Sequence, residues 1–149
     1  MVNALTFRGL VPAASMALPQ VRAQTMEHKE MTSPELQIAQ HLIDKHFVIW
    51  NDPQPRISSF GEVYTGDFYV ADYADIATGY PQVVALIARV QREHPGFVFH
   101  PAPVTWNHGL GRVTWSYGPQ NDSGLVHGED IFTVRDGRIA SIHVFINQP

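Results

Sequence analysis

The sequence predicts one α+β domain in which helices come first and a run of antiparallel strands comes last. Three observations carry that expectation: apolar residues recur at three- and four-residue spacing before His94, the period changes to two from Phe97 onward, and the later strands are joined by tight turns. Consecutive strands joined by tight turns must run antiparallel, so the second half reads as a meander. A length of 149 residues, with 44% hydrophobic and 16% charged, suits a single core.

The first element opens at Ser33-Pro34-Glu35, with a serine cap, a proline at the first helical position and a carboxylate at the positive end of the helix dipole. Leu36, Ala39, Leu42, Ile43, His46, Phe47 and Trp50 form its apolar stripe, and Asn51-Asp52-Pro53 ends it. A second, short helix is expected to carry Ile57, Phe60 and Tyr64 and to stop at Thr65-Gly66. A short strand over Phe68–Asp72 then runs into a loop from Tyr73 to Gly79. Pro81 opens a third helix with Val83, Leu86, Ile87 and Val90 on its stripe, and His94-Pro95-Gly96 closes it.

Four strands follow, over Phe97–His108, Arg112–Tyr117, Leu125–Arg135 and Arg138–Asn147. The turns between them are His108-Gly109, Gly118-Pro119-Gln120-Asn121 and Asp136-Gly137, the last a strong two-residue hairpin signal. Pro101 and Pro103 mark the first of these strands as an edge or a bulge, because proline cannot donate to a ladder.

Composition excludes several functions. A formal charge of −4 with no block of like charges offers no basic surface for a phosphate backbone, so nucleic acid is not an expected partner. The absence of cysteine removes disulfides, thiolate metal sites and a cysteine nucleophile. No apolar run of about 18 residues occurs, so no membrane partner is expected. The eight histidines show no metal-binding spacing, since His41 and His46 are five apart, and no metal is expected. There is no glycine-rich phosphate loop or dinucleotide fingerprint, so no cofactor is expected either. Residues 1–30 read as a disordered or weakly signal-like tail: Gly9 to Leu18 and Val21-Arg22-Ala23 loosely resemble a secretory leader, interrupted by Pro12 and Pro19, and Met26 or Met31 would serve equally well as the start. The domain is placed at 31–149 and in the cytoplasm, with export as the alternative if residues 1–23 are a signal peptide.

Strand register points to one carboxylate. Val126, Gly128, Asp130, Phe132 and Val134 share a strand face, and Asp130 is the only charge on it. Val113, Trp115 and Tyr117 make an apolar face on the preceding strand. A carboxylate so placed is paired, protonated or functional, and its pKa is expected to be raised. Pairing with Arg112 or Arg138 would make it structural instead.

The stretch Tyr64-Thr65-Gly66-Asp67-Phe68-Tyr69-Val70-Ala71-Asp72, and the later stretch Gly128-Glu129-Asp130-Ile131-Phe132-Thr133-Val134-Arg135-Asp136-Gly137-Arg138-Ile139, resemble the ketosteroid isomerase-like and polyketide cyclase-like (SnoaL-like) proteins of the nuclear transport factor 2-like (NTF2-like) superfamily. The resemblance spans Ser33 to Asn147. It implies a cone-like fold, three N-terminal helices packed on a curved antiparallel sheet around one pocket. It also implies that Asp72 is the proton-abstracting base and Asp130 a protonated acid donating to a developing enolate, a role for which isomerases of this kind are the established example. Tyr64 matches a tyrosine of the isomerase hydrogen-bond network. The helical tyrosine that donates directly to substrate has no counterpart, and in its neighbourhood only His46 offers a neutral donor. Limonene-epoxide hydrolase-like chemistry, which belongs to the same fold, is not expected, because its key positions read Trp115, Tyr117 and Val144 here.

The expected function is therefore a small cofactor-independent enzyme of proton-transfer chemistry acting on a small apolar carbonyl compound. Asp72 and Asp130 are its catalytic residues, and His46, Trp50, Tyr64, Trp115 and Tyr117 bind substrate. The alternative is a non-catalytic ligand-binding or dimerisation module. Several local readings stay open: Asp72 would also serve to cap its own loop, His46 to make a core hydrogen bond, and the aromatics to pack the core. A homodimer is expected through an outer sheet face carrying His127, Ile131, Thr133, Ser141, His143 and Phe145.

Overall fold

The structure is a computed structural model of the chain, and it describes residues 33–147. The tail expected over residues 1–30 lies outside the described residues. Helix α1 runs Pro34–Asn51, with the Ser33 hydroxyl accepting from the Leu36 amide at 3.1 Å. Its stripe is buried as the spacing requires, from Ala39 to Trp50. Helix α2 runs Gly79–Glu93 and buries Val83, Leu86 and Ile87.

Between them come a 3-10 helix at Ile57–Glu62 and the strands β1 (Tyr64–Ala71) and β2 (Ile76–Thr78). Of the three expected helices, two are α-helices and the short one is this 3-10 segment of six residues. Tyr64 and Thr65 are not helical. They open β1, because the Ile139 amide donates to the Val63 carbonyl at 2.8 Å and draws the chain into the sheet. The expected loop over Tyr73–Gly79 holds β2, which pairs back on the end of β1.

The remaining strands are β3 (Val98–Pro101), β4 (Thr105–Asn107), β5 (Leu110–Gly118), β6 (Val126–Arg135) and β7 (Arg138–Ile146). The single strand expected over Phe97–His108 is broken into β3 and β4, both paired to β5. The break falls over residues 102–104 and holds Pro103, which cannot donate to a ladder. Both predicted two-residue turns have positive φ at each residue, His108 and Gly109 at 45° and 89°, Asp136 and Gly137 at 53° and 71°. That pair of values matches the twist of the strands they connect.

The sheet order is β2-β1-β7-β6-β5-β3, with β4 also on β5. The expectation of a wholly antiparallel sheet is corrected here: β1 runs parallel to β7. Tight turns determine direction only for strands they join, and β1 reaches β7 through no such turn. Register shifts in β1 between Tyr64 and Tyr69, and in β6 between Thr133 and Val134, mark bulges that bend the sheet. Ser141, expected on the outer face, is 6% exposed, and its hydroxyl is hydrogen-bonded to that of Thr133 at 2.6 Å.

Helix α1 packs on β3 and β4, and α2 packs on β1, β2 and the 3-10 helix. Polar clamps hold the helices in place. The Asn51 side chain donates to the Phe99 carbonyl at 3.0 Å and accepts from its amide at 2.8 Å. From α2, Gln91 donates to the carbonyls of Trp50 and Asp52 at the end of α1.

Candidate functional site

A cavity of about 570 Å³ lies between the helices and the inner face of β5, β6 and β7. That is ample for a small organic molecule. Its aromatic wall is Phe47 and Trp50 from α1, Phe99 from β3, and Trp115 and Tyr117 from β5. Phe99 and Tyr117 stack with ring centres 4.0 Å apart. Val144 and Ile142 of β7 and Leu86 and Val90 of α2 add aliphatic surface. His46 and Asp130 are buried polar groups in this lining; Asp72, Arg89, Glu93 and His94 are more exposed ones.

Asp130 sits on β6 opposite Val113 of β5 and Val144 of β7 and is 4% exposed. Its Oδ1 accepts the Trp115 indole N–H at 2.9 Å. That indole is seated over Gly128, its cross-strand partner: a Cβ built there would come within 2.4 Å of the ring. Neither Arg112 nor Arg138 reaches Asp130. Arg112 is spent on Glu129 at 2.6 Å, and Arg138 points to the Gly61 carbonyl. Burial therefore pushes the Asp130 carboxyl up to about 7, against the Trp115 hydrogen bond that pulls it down.

His46 lies 2% exposed on the buried stripe of α1. Its Nδ1 is 2.7 Å from the Tyr64 hydroxyl, and its Nε2 is 3.8 Å from Asp130 Oδ2, beyond hydrogen-bond length. Burial lowers the ring to about 3, so the imidazole is neutral. Tyr64 is corrected as a cavity residue: it does not line the cavity and instead contacts His46 through its hydroxyl. Burial holds its phenol well above the usual range; the Trp50 indole N–H works against that shift and the Asp130 charge adds to it. The Trp50 indole nitrogen itself is buried with no completed hydrogen bond among the described residues.

Asp72 follows the last residue of β1 and lines the same cavity as Asp130. Its Oδ1 accepts from the amides of Ala74 and Asp75 at 2.8 and 2.9 Å, and its Oδ2 pairs with Arg89 at 3.2 Å. The loop-capping role is thus present in the geometry, together with access to the cavity. Arg89 escaped the sequence reading. Its signal was its place on α2, three residues after Leu86 and next to Val90, where a cation borders the apolar stripe. Phe47 and Phe99 were also missed as cavity residues, since core and cavity aromatics share one pattern. Among the described residues, no three His, Cys, Asp or Glu side chains gather to hold a metal ion, and no helix is long and apolar enough to cross a membrane.

No family model and no curated protein matches the chain by sequence. Solved structures do match by shape. A candidate isomerase of the SnoaL-like family from Agrobacterium tumefaciens superposes with a TM-score of 0.69 at 17% identity, over 75% of this chain and 99% of that one. A candidate SnoaL-like polyketide cyclase from a Jannaschia species gives 0.64 at 19% identity, over 77% and 89%. A candidate ketosteroid isomerase from Kribbella flavida gives 0.57 at 16% identity, over 76% and 80%. The chain has the NTF2-like fold, α+β with a curved mixed sheet.

Proposed function

We propose that this NTF2-like chain is a small cofactor-independent enzyme of proton-transfer chemistry, isomerase-like or cyclase-like, acting on a small apolar carbonyl compound. The observation that carries the reading is Asp130: a buried carboxyl in an aromatic cavity, with no cation among the described residues to neutralise it and a pKa raised to about 7. Such a group is an acid poised near the working pH. In this reading Asp72 is the base. Its Oδ1 accepts from the two loop amides and its Oδ2 from Arg89 alone, so Oδ2 keeps a lone pair that takes the proton as the substrate C–H bond breaks. The bonding pair moves onto the carbonyl oxygen, and Asp130 stabilises the resulting enolate by hydrogen bonding. Return of the proton to another carbon completes an isomerisation.

One observation favours the alternative, a non-catalytic ligand-binding module of the same fold. Asp72 already has three partners in the Ala74 and Asp75 amides and Arg89, a saturation that suits a loop anchor. Phenol binding and C–H exchange separate the two. Asp130→Asn should keep most of the wild-type affinity for a phenol, because an amide still donates, whereas Asp130→Leu should lose about tenfold or more, the equivalent of one buried hydrogen bond. Asp72→Asn should leave phenol binding intact and stop exchange of a ketone's acidic hydrogen for solvent deuterium. Wild-type protein that binds phenols yet exchanges no member of a ketone panel would support the binding module instead.

A further inference from the structure

The cavity is blind behind Asp130. On β6 its lining stops at that residue: the next inward side chain, Phe132, is fully buried, lies over Gly111 and meets Trp106 with ring centres 6.2 Å apart, which closes the space beyond the acid. In the other direction the lining continues to Tyr117 of β5, Val126 of β6 and Ile146 of β7, the terminal inward positions of their strands. Four residues along β6 separate Asp130 from Val126, about 13 Å at the usual strand rise.

At that far end the cavity opens to solvent, and the opening is apolar. Tyr73 and Ile146 line it and are 66% and 38% exposed. Leu125, next to Val126, and Ile76, Val98 and Phe145 at the same strand ends are exposed as well. Phe145 meets the Tyr73 ring edge-on at 6.5 Å and braces it at the mouth. The charged lining lies toward the helix: Arg89 and Glu93 belong to α2, His94 caps its end, and Arg89 is paired with Asp72 at 3.2 Å. The sheet side of the mouth is therefore a strip of apolar side chains continuous with the cavity wall. Contiguous apolar surface of that kind marks a place that an apolar group covers.

We propose that the strip from Val126 and Ile146 out to Tyr73 is a subsite for an alkyl tail, and that the ligand is a long-chain carbonyl compound with its oxygen at Asp130 and its chain running out along the sheet side of the mouth. A compact ligand leaves the strip in water, and a charged tail forfeits the burial that the strip offers. Tyr73 is then a residue that sets chain-length specificity, remote from the reacting atoms. The inference rests on the oxygen end lying at Asp130, as in the proposed reaction, and it adds the length and the chemistry of the other end.

The test is titration calorimetry of the full chain with para-alkylphenols from methyl to nonyl. A methylene that leaves water completely tightens binding about fourfold, and one half covered by the strip about twofold. Wild-type protein should therefore keep tightening from pentyl to nonyl, by about sixteenfold over the four added carbons. Tyr73→Ser should lower that ratio to about fourfold or less. Val48→Ser, which removes an exposed side chain of α1 that does not line the cavity, should leave the ratio as in wild type. Affinity that stops rising beyond pentyl, or a Tyr73→Ser ratio equal to that of wild type, overturns the inference. So does retention of the chain on phosphatidylcholine vesicles that Tyr73→Ser abolishes, which would make the strip a bilayer contact. Failure of the catalytic reading looks different: the chain-length ratios are as expected, and no ketone exchanges its hydrogen.

Discussion

Asp130 and His46 make a compensating pair whose titrations should become visible only when one partner is removed. Asp130 has its folded pKa raised from 3.8 to about 7, so the stability it contributes is complete below about pH 4 and is lost as pH rises to about 7. His46 has its folded pKa lowered from 6.5 to about 3, so its contribution is complete above about pH 6.5 and is lost as pH falls toward about 3. Between 3.8 and 6.5 one slope cancels the other. Each slope is about 1.4 kcal/mol per pH unit, which over that interval amounts to on the order of 4 kcal/mol. Asp130→Asn removes the falling slope, and its stability relative to wild type should rise by about that amount from pH 4 to pH 6.5. His46→Gln removes the rising slope and should do the opposite. Urea unfolding of the three proteins at half-unit pH intervals measures this, with the remaining carboxylates common to all. Three parallel profiles would refute the assignment of both groups as neutral in the folded protein.

Gly128→Ala should cost about 1–3 kcal/mol in thermal or urea unfolding and should also weaken phenol binding, because the added methyl meets the Trp115 indole and the Phe145 carbonyl and dislodges the donor to Asp130 Oδ1. A Gly128→Ala protein with wild-type stability would show that the indole has room to move. The outer sheet face, where Ile131 is half-buried and Phe145 is 44% exposed, should hold a second copy of the chain, so sedimentation at micromolar concentration should give a dimer. A clean species of 16.7 kDa would refute that.

What was legible in the sequence was local. The Ser33-Pro34 start, the alternation along β5 to β7 and the two positive-φ turns each depend on residues close together in the chain, and their elements fall within a few residues of the expected bounds. Asp130 was legible for the same reason: period-two alternation placed it among Gly128, Phe132 and Trp115, and its burial and raised pKa followed. What stayed hidden depends on distant partners. Tyr64 reads as the end of a helix until Ile139 pairs beside it, and the parallel direction of β1 is written in no turn. Arg89 gains its meaning only when α2 brings it to Asp72.

The position of β7 has a consequence for how the protein must be made. This strand lies in the interior of the sheet, between β1 and β6, and it is the last strand in sequence among the described residues. Until it docks, β1 and β2 form a two-stranded fragment with α2, β6 presents an open edge, and the cavity lacks the wall that Ile142 and Val144 supply. A nascent chain therefore carries α1 and α2 without a closed core, with two unpaired edges of the kind that invite association with other chains. Pairings as distant in sequence as β1 with β7 make such folding slow, in the millisecond-to-second range typical of β-rich domains. The nine residues of β7 close the sheet and the cavity in the same step.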